Sequence, residues 1–375
     1  MFSKKNSKKR IAVLTGGGDC PGLNMAITAV SKYAMEHYGW EVIGVKNALN
    51  GVIGDDTIIN KNSELVEMTT DFPFDSLVRQ GGSFLGSYRK IRKKSYAKVK
   101  TDEDLATVML PRFKKNIKEL NIDGIIATGG DGSMFMLNFL CEKAKIPFVG
   151  IPKTIDNDTP GTEISIGFSS AVDACVHTMD SIYWTAKSHH RAICVEVMGR
   201  NTGHLAMHSG IGACADVILT PEIPYTISNI IKKLKNIMKT ESRDYFLIVV
   251  AEGAGAENGK PLPKNYTSVA EYIAEKISDA GIEARDDVLG YLQRGGIPNG
   301  YDRMLAAELG TMAVDLMAEG AHAVIAGMKD GHPVKIPLKN VCKKETRTLD
   351  LSSPIVKTAE KLGIYIGDMK KHKKN

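Results

Sequence analysis

Short apolar runs and longer stretches of 3.6-residue periodicity alternate along most of this chain. Ile11 to Thr15 reads as a strand, and Leu23 to His37, closed by Gly39, as a helix. Val42 to Val45 is the next strand, and Gly51 to Met68 reads as turns and short strands. Asp104 to Leu120 keeps Leu105, Val108, Met109, Phe113, Ile117 and Leu120 near one helical face, with Pro111 as a point of breakage or kinking. Gly124 to Thr128 and Ile146 to Ile151 read as strands around a helix, Met134 to Ala144. Gly167 to Ala186 is helical, with Val172, Val176, Met179, Ile182 and Ala186 along its apolar face. Strands follow at Ala192 to Val197, Tyr245 to Ala251, Val288 to Leu292 and Ala321 to Ala326, and helices at Ser268 to Ala280 and Asp302 to Ala318. Beyond Gly331 the pattern predicts only a short helix, Ser353 to Leu362. Such alternation implies an α/β fold with largely parallel sheets.

Composition narrows the class without changing that picture. At 375 residues, with 43% hydrophobic and 25% charged residues, the chain has the make-up of a soluble globular protein of two or three domains. No apolar run is long enough for a membrane span, and the basic N-terminus does not read as a signal peptide. Six scattered cysteines without a CxxC pair point to free thiols in a reducing cytoplasm and away from zinc. The net charge of +6 comes partly from lysine clusters at both ends, and no aromatic-interleaved basic face supports nucleic-acid binding.

The ends of the strands carry the chemistry. Gly16-Gly17-Gly18 follows the first strand and opens onto a helix, the arrangement that lets backbone N–H groups approach an anion. Pro21 breaks a dinucleotide fingerprint there, and Leu23-Asn24 replaces the Lys-Ser/Thr of a Walker A loop. Gly129-Gly130-Asp131-Gly132-Ser133 repeats the unit with a carboxylate at its centre, suited to capping the helix or to holding Mg²⁺ against a polyphosphate. Lys153-Thr154-Ile155-Asp156-Asn157-Asp158 follows the strand ending at Ile151. Its two carboxylates, two residues apart, suit proton abstraction, metal binding or an Asx-rich turn. Arg89 closes a glycine-punctuated loop, Glu252 ends a strand where sugar hydroxyls could be bound, and Arg285 and Arg294 flank another. Arg191 and Arg200 bracket a strand nine residues apart, roughly 30 Å if fully extended, which is too far for one pocket and hints at a site shared between subunits.

Taken in order, Gly17-Gly18-Asp19, the Gly81-to-Arg89 loop, Gly130-Asp131-Gly132-Ser133, Thr154-Ile155-Asp156-Asn157-Asp158, Glu196-Val197-Met198-Gly199-Arg200 and Gln293-Arg294-Gly295-Gly296 resemble the bacterial-type 6-phosphofructokinase family from about Ile11 to Gly327. The resemblance implies two similar Rossmann-like domains with the active site in the cleft between them. Residues 1–166 with about 293–343 would bind the donor, and about 167–292 with 344–375 the sugar phosphate. It implies Mg-ATP-dependent phosphorylation of fructose 6-phosphate in the cytoplasm, with Asp156 as the base and Thr154, Arg200 and Lys153 beside it. Gly18, Arg89, Lys90, Gly130, Asp131, Gly132 and Ser133 would hold the nucleotide, and Asp131 and Asp158 would serve Mg²⁺. Thr154, Ile155, Asp156, Met198, Gly199, Arg200, Glu252, Tyr291 and Arg294 would line the sugar-phosphate site. Arg191 and Arg285 would reach in from a neighbouring copy, making the protein a homotetramer or homodimer.

The chain departs from the family pattern at three places. Tyr291 stands where many relatives have histidine, and Thr28 and Tyr183 where allosteric relatives carry effector-binding arginines. Lys153 matches pyrophosphate-using relatives, whereas Gly132 matches ATP users. Gly132 is the stronger determinant, because an aspartate there would exclude the α-phosphate whereas a lysine only adds a phosphate contact. A pyrophosphate-dependent enzyme and a catalytically silent sugar-phosphate sensor are the competing readings. A NAD kinase-like enzyme would leave Thr154 to Asp158 unexplained, and a dehydrogenase is disfavoured by Pro21.

Overall fold

A computed structural model describes residues 8–53, 64–87, 102–342 and 345–368. Among them run eleven strands: β1 (Arg10–Thr15), β2 (Glu41–Val45), β3 (Leu65–Met68), β4 (Gly124–Gly129), β5 (Phe148–Pro152), β6 (Ala192–Val197), β7 (Val217–Leu219), β8 (Phe246–Ala251), β9 (Ala284–Val288), β10 (Val324–Lys329) and β11 (His332–Pro337). The chain divides into two compact units. The first comprises Met1–Thr154, Thr159–Gly167 and Arg294–Glu345; the second comprises Ile155–Asp158, Phe168–Gln293 and Thr346–Asn375.

The first unit is built on a sheet ordered β11-β10-β5-β4-β1-β2-β3. Its inner pairs are parallel, and both edges are antiparallel, β2 with β3 and β10 with β11. β1 and β4 are apolar on both faces, as a parallel sheet covered on both sides requires. Ile27, Val30, Leu309 and Val314, from the helices Leu23–Tyr38 and Gly300–Ala318, cover one face. Phe113, Ile117, Leu137 and Leu140, from Asp102–Glu119 and Asp131–Ala144, cover the other. Each such fully buried side chain contributes about 1.5–3 kcal/mol. The register matters for the site. Thr15 lies opposite Thr128 and Gly129 opposite Pro152, so the carboxyl ends of β1, β4 and β5 come out side by side. The order reverses around β1, where such sheets bind ligands.

The second unit has four parallel strands, ordered β7-β8-β6-β9. β6 and β8 are buried throughout, between helices that include Phe168–Ser188, His204–Gly212, Ile227–Glu241 and Val269–Asp279. β9 is an edge strand, and Arg285, Asp286, Asp287 and Val288 face solvent. Both units are α/β with mostly parallel sheets, as the alternation predicts.

Several boundaries differ from expectation. The strand expected at Val288 to Leu292 lies earlier, at β9, because Gly290 adopts φ 53° and Leu292–Gly295 turns into a short helix. The strand expected from Ala321 starts at Val324, after Ala323 at φ 56°. Pro111 sits inside an uninterrupted helix. β11 was not expected. Asp330 and Gly331, at φ 53° and 74°, form the two-residue turn that joins it to β10. No helix among the described residues is long and apolar enough to cross a membrane.

Candidate active site

In the first unit three loops meet at the ends of β1, β4 and β5. Gly16 N–H donates to Thr128 O at 2.8 Å, and Lys153 N–H to Gly129 O at 3.1 Å, tying the loops together. A Cβ on Gly17, which has φ 84°, would stand 3.1 Å from Lys153 Nζ, and one on Gly18 would stand 3.0 Å from Arg294 Nη1. These glycines let the backbone lie directly against two cations. Lys153 is 3% exposed, and its Nζ donates to Gly18 O. Ser133 presents its hydroxyl to Gly16 and Gly17 from the first turn of Asp131–Ala144. Asp131 is exposed at that helix's N-terminus, with Oδ1 accepting from Gly132 N–H at 2.7 Å. Around Gly130 and Gly132, no described atom lies within 4 Å of where a Cβ would stand. Bare backbone, a helix N-terminus and two cations together form an anion cradle.

In the second unit the strand ends of β6, β8 and β9 supply a different set. Gly199 and Arg200 form a left-handed turn, at φ 137° and 52°. Glu252 Oε1 accepts from both of their N–H groups, at 3.2 and 2.6 Å. Gln293 Oε1 accepts from Met198 N–H at 2.9 Å. Asp156 is buried, with Oδ2 3.4 Å from Nε of the exposed Arg200. Thr202 Oγ1 donates to Asp156 O at 3.2 Å. Glu196, from the same motif, is spent on structure: Oε2 accepts from Val269 and Ala270 N–H at 2.6 and 3.1 Å, capping the helix Val269–Asp279. Burial pushes its carboxyl above the usual range, and those N–H bonds partly offset the rise.

A phosphofructokinase family model matches residues 10–317. The chain belongs to the phosphofructokinase family. An ATP-dependent 6-phosphofructokinase of Thermosynechococcus vestitus is 42% identical over 366 residues, 97% of this chain and 94% of that one. One of Spirochaeta thermophila is 36% identical over 377 residues, 97% of this chain and 99% of that one. Phosphofructokinase from Saccharomyces cerevisiae superposes with a TM-score of 0.76 at 27% identity, covering 95% of this chain but 47% of that longer one. A pyrophosphate-dependent phosphofructokinase from Nitrosospira multiformis shares the fold, with a TM-score of 0.77 at 20% identity, over 98% of this chain and 95% of that one.

The remaining phosphofructokinase-like positions are spread more widely. Thr154 stays with the first unit, its N–H on Ile166 O at 3.1 Å, whereas Ile155, Asp156 and Asp158 belong to the second. Arg191 and Arg285 share one carboxylate, Glu283, at 3.6 and 3.2 Å. Arg191 precedes β6 and Arg200 follows it. They flank a strand six residues long, roughly 20 Å from end to end, and the turn at 199–200 shortens the fully extended span expected of them. Tyr291 is 79% exposed. Thr28 is buried and bonds Asn24 O within its own helix, and Tyr183 bonds the Tyr245 hydroxyl at 3.3 Å; neither supplies a cation. Arg89 and Lys90 lie outside the described residues. For Mg²⁺, Asp131 is an exposed carboxylate at the end of β4, and such sites need only one or two carboxylates with the rest from substrate and water. Among the described residues no group of three or more His, Cys, Asp or Glu could hold a metal alone.

Arg347 was not expected in the site. Its N–H donates to Asp158 O and its Nη1 to Asn157 O, both at 2.9 Å, and its own carbonyl lies 3.2 Å from His204 Nε2. Burial holds the His204 imidazole down to about 4, with the Arg347 charge acting the same way. Above pH 6.5 folded and unfolded chains are both neutral there. As pH falls from 6.5 towards 4, the unfolded chain takes up a proton that the folded chain refuses, so stability is lost by up to about 3 kcal/mol. His208, also held down by burial, adds in the same direction. Urea midpoints should therefore drop between pH 7 and 4.5, and His204→Gln should flatten the drop; an equal drop in that variant would exclude His204 as its source.

Proposed function

We propose that the protein transfers the γ-phosphoryl group of ATP to the 1-hydroxyl of fructose 6-phosphate, forming fructose 1,6-bisphosphate and ADP, the committing step of glycolysis, in the cytoplasm. The observation that carries this reading is the buried Asp156 carboxylate, 3.4 Å from the guanidinium of Arg200, in the segment after β5. A carboxylate there suits abstraction of an alcohol proton, and the guanidinium suits both its charge and that of a phosphorylated substrate.

In this mechanism Asp156 takes the hydroxyl proton and the sugar oxygen forms a bond to the γ-phosphorus. The bond to the bridging oxygen breaks, and that oxygen leaves on ADP. Lys153, Gly18, Gly130, Gly132 and Ser133 surround the donor phosphates, while Arg89 and Lys90 are assigned to the nucleotide by resemblance alone. Met198, Gly199, Arg200, Glu252, Tyr291, Arg294, Thr154 and Ile155 serve the sugar phosphate. Glu252 has Oε1 committed to the 199–200 turn, which leaves Oε2 for a sugar hydroxyl. Asp131, with Asp158 as a second candidate, would hold Mg²⁺, which when bound offsets phosphate charge. Arg191 and Arg285 are proposed to serve the site of a neighbouring copy in a homodimer or homotetramer.

A coupled assay for fructose 1,6-bisphosphate tests the reading, with ATP and pyrophosphate supplied separately. Turnover with ATP and little or none with pyrophosphate is expected. In the same assay, Arg191→Ala and Arg200→Ala should each be impaired and should partly recover when co-assembled. No product with either donor would refute the assignment, and no recovery in mixtures would refute the shared site.

A further inference from the structure

We infer that Arg347 is a positioning residue for Asp156, acting through the backbone of the Ile155–Asp158 segment; this rests on the proposed role of Asp156 as base. Three consecutive carbonyls of that segment each accept a hydrogen bond from elsewhere in the second unit. Thr202 Oγ1 donates to Asp156 O at 3.2 Å, Arg347 Nη1 to Asn157 O at 2.9 Å, and Arg347 N–H to Asp158 O at 2.9 Å. Asn157, between the two carboxylates, turns the backbone at φ 51°, a left-handed conformation that asparagine adopts more readily than other non-glycine residues. Arg347 supplies two of these three donors from 190 positions along the chain.

Arg347 is itself fixed to the stretch that follows Arg200. Its carbonyl lies 3.2 Å from His204 Nε2. Two residues on, Leu349 N–H donates to Glu222 Oε1 at 2.9 Å, and the same oxygen accepts from Gly203 N–H at 2.9 Å. Residues 347–349 therefore stitch the segment bearing Asp156 to the turn bearing Arg200. A base must meet its proton within a few tenths of an ångström, and misplacement by about 1 Å can cost roughly 10²-fold in rate. A guanidinium spanning to a backbone carbonyl holds that distance where a water would not.

The test is Arg347→Met, which keeps the backbone N–H and removes the fork, with Arg347→Lys as the conservative partner. The expected result is a fall in kcat of roughly 10- to 100-fold with KM for sugar phosphate within about threefold. Millimolar guanidinium ion should partly restore kcat in Arg347→Met. Amide hydrogen exchange across residues 155–158 should quicken in the same variant without substrate, a reading independent of the assigned reaction. If Arg347→Met does not fold, Arg347→Gln, which also removes the cationic fork, decides by the same two measurements, and Arg347→Lys should lie nearer the parent. Unchanged exchange at 155–158, or kcat within twofold of the parent, in folded Arg347→Met or Arg347→Gln overturns the inference. Fast exchange in a variant whose parent has no phosphofructokinase activity would instead overturn the reading of Asp156.

Discussion

Replacing Asp156 by Asn should lower turnover by about 10²–10⁴-fold while leaving sugar-phosphate binding largely intact. The substitution keeps the shape of a side chain that is buried beside Arg200, and it leaves the Asp156 carbonyl free to keep its bond from Thr202. What it removes is the proton acceptor. The guanidinium of Arg200 is 64% exposed and remains solvated, so the stability cost should be small. Steady-state kinetics together with calorimetric titration of fructose 6-phosphate separate the two effects. Turnover near that of the parent would remove Asp156 from the chemistry, and loss of binding in proportion to turnover would reassign it to substrate recognition.

Gly132→Asp should cut kcat/KM for ATP by roughly 10²–10³-fold, because a like charge placed against a phosphate costs several kcal/mol. The position is unusually clean for this experiment. No described atom lies within 4 Å of the new Cβ, so the folded state has room for the side chain. Melting should shift little, and any loss reports on the donor. Lys153, the residue that argues for pyrophosphate, has its ammonium on the carbonyl of Gly18 beneath the glycine turn. That placement is compatible with either donor, and so the experiment is made at Gly132. ATP use within tenfold of the parent in Gly132→Asp would defeat this account. Pyrophosphate turnover emerging in the variant would make Lys153 the residue that permits it.

The parts of the site that could be read from sequence are those that repeat a local pattern. Strand, glycine turn and helix occur together after β1 and β4, and the register of β1, β4 and β5 brings these ends side by side. The parts that could not be read are made by distant pairs. Nothing near Arg347 marks it as a partner of Asn157, and Gln293 shows its bond to Met198 only once β6 and β9 are paired. Other misses had a signal. Asp330-Gly331 is a strong two-residue hairpin cue, but Pro333 and Pro337 in the following run argue against a strand unless it lies at an edge, as β11 does. The helix Ile227–Glu241 also keeps Ile230, Leu234 and Ile237 in period and buried. β7, three residues long, is too short to show any period.

The interleaving of the two units in sequence has a consequence for synthesis on the ribosome. β10 pairs with β5, Val324 with Val149, so the chain must be extended by about 175 residues before that edge of the first sheet is covered. At about 5–20 residues per second, β5 waits roughly 10–35 s with its ladder open. During that interval nearly the whole second unit is made, and its Ile155–Asp158 segment emerges long before Arg347. An unpaired parallel strand is the kind of surface on which nascent chains associate wrongly. Production of this protein in a foreign host should thus be governed by elongation rate and chaperone supply more than by the stability of the finished molecule.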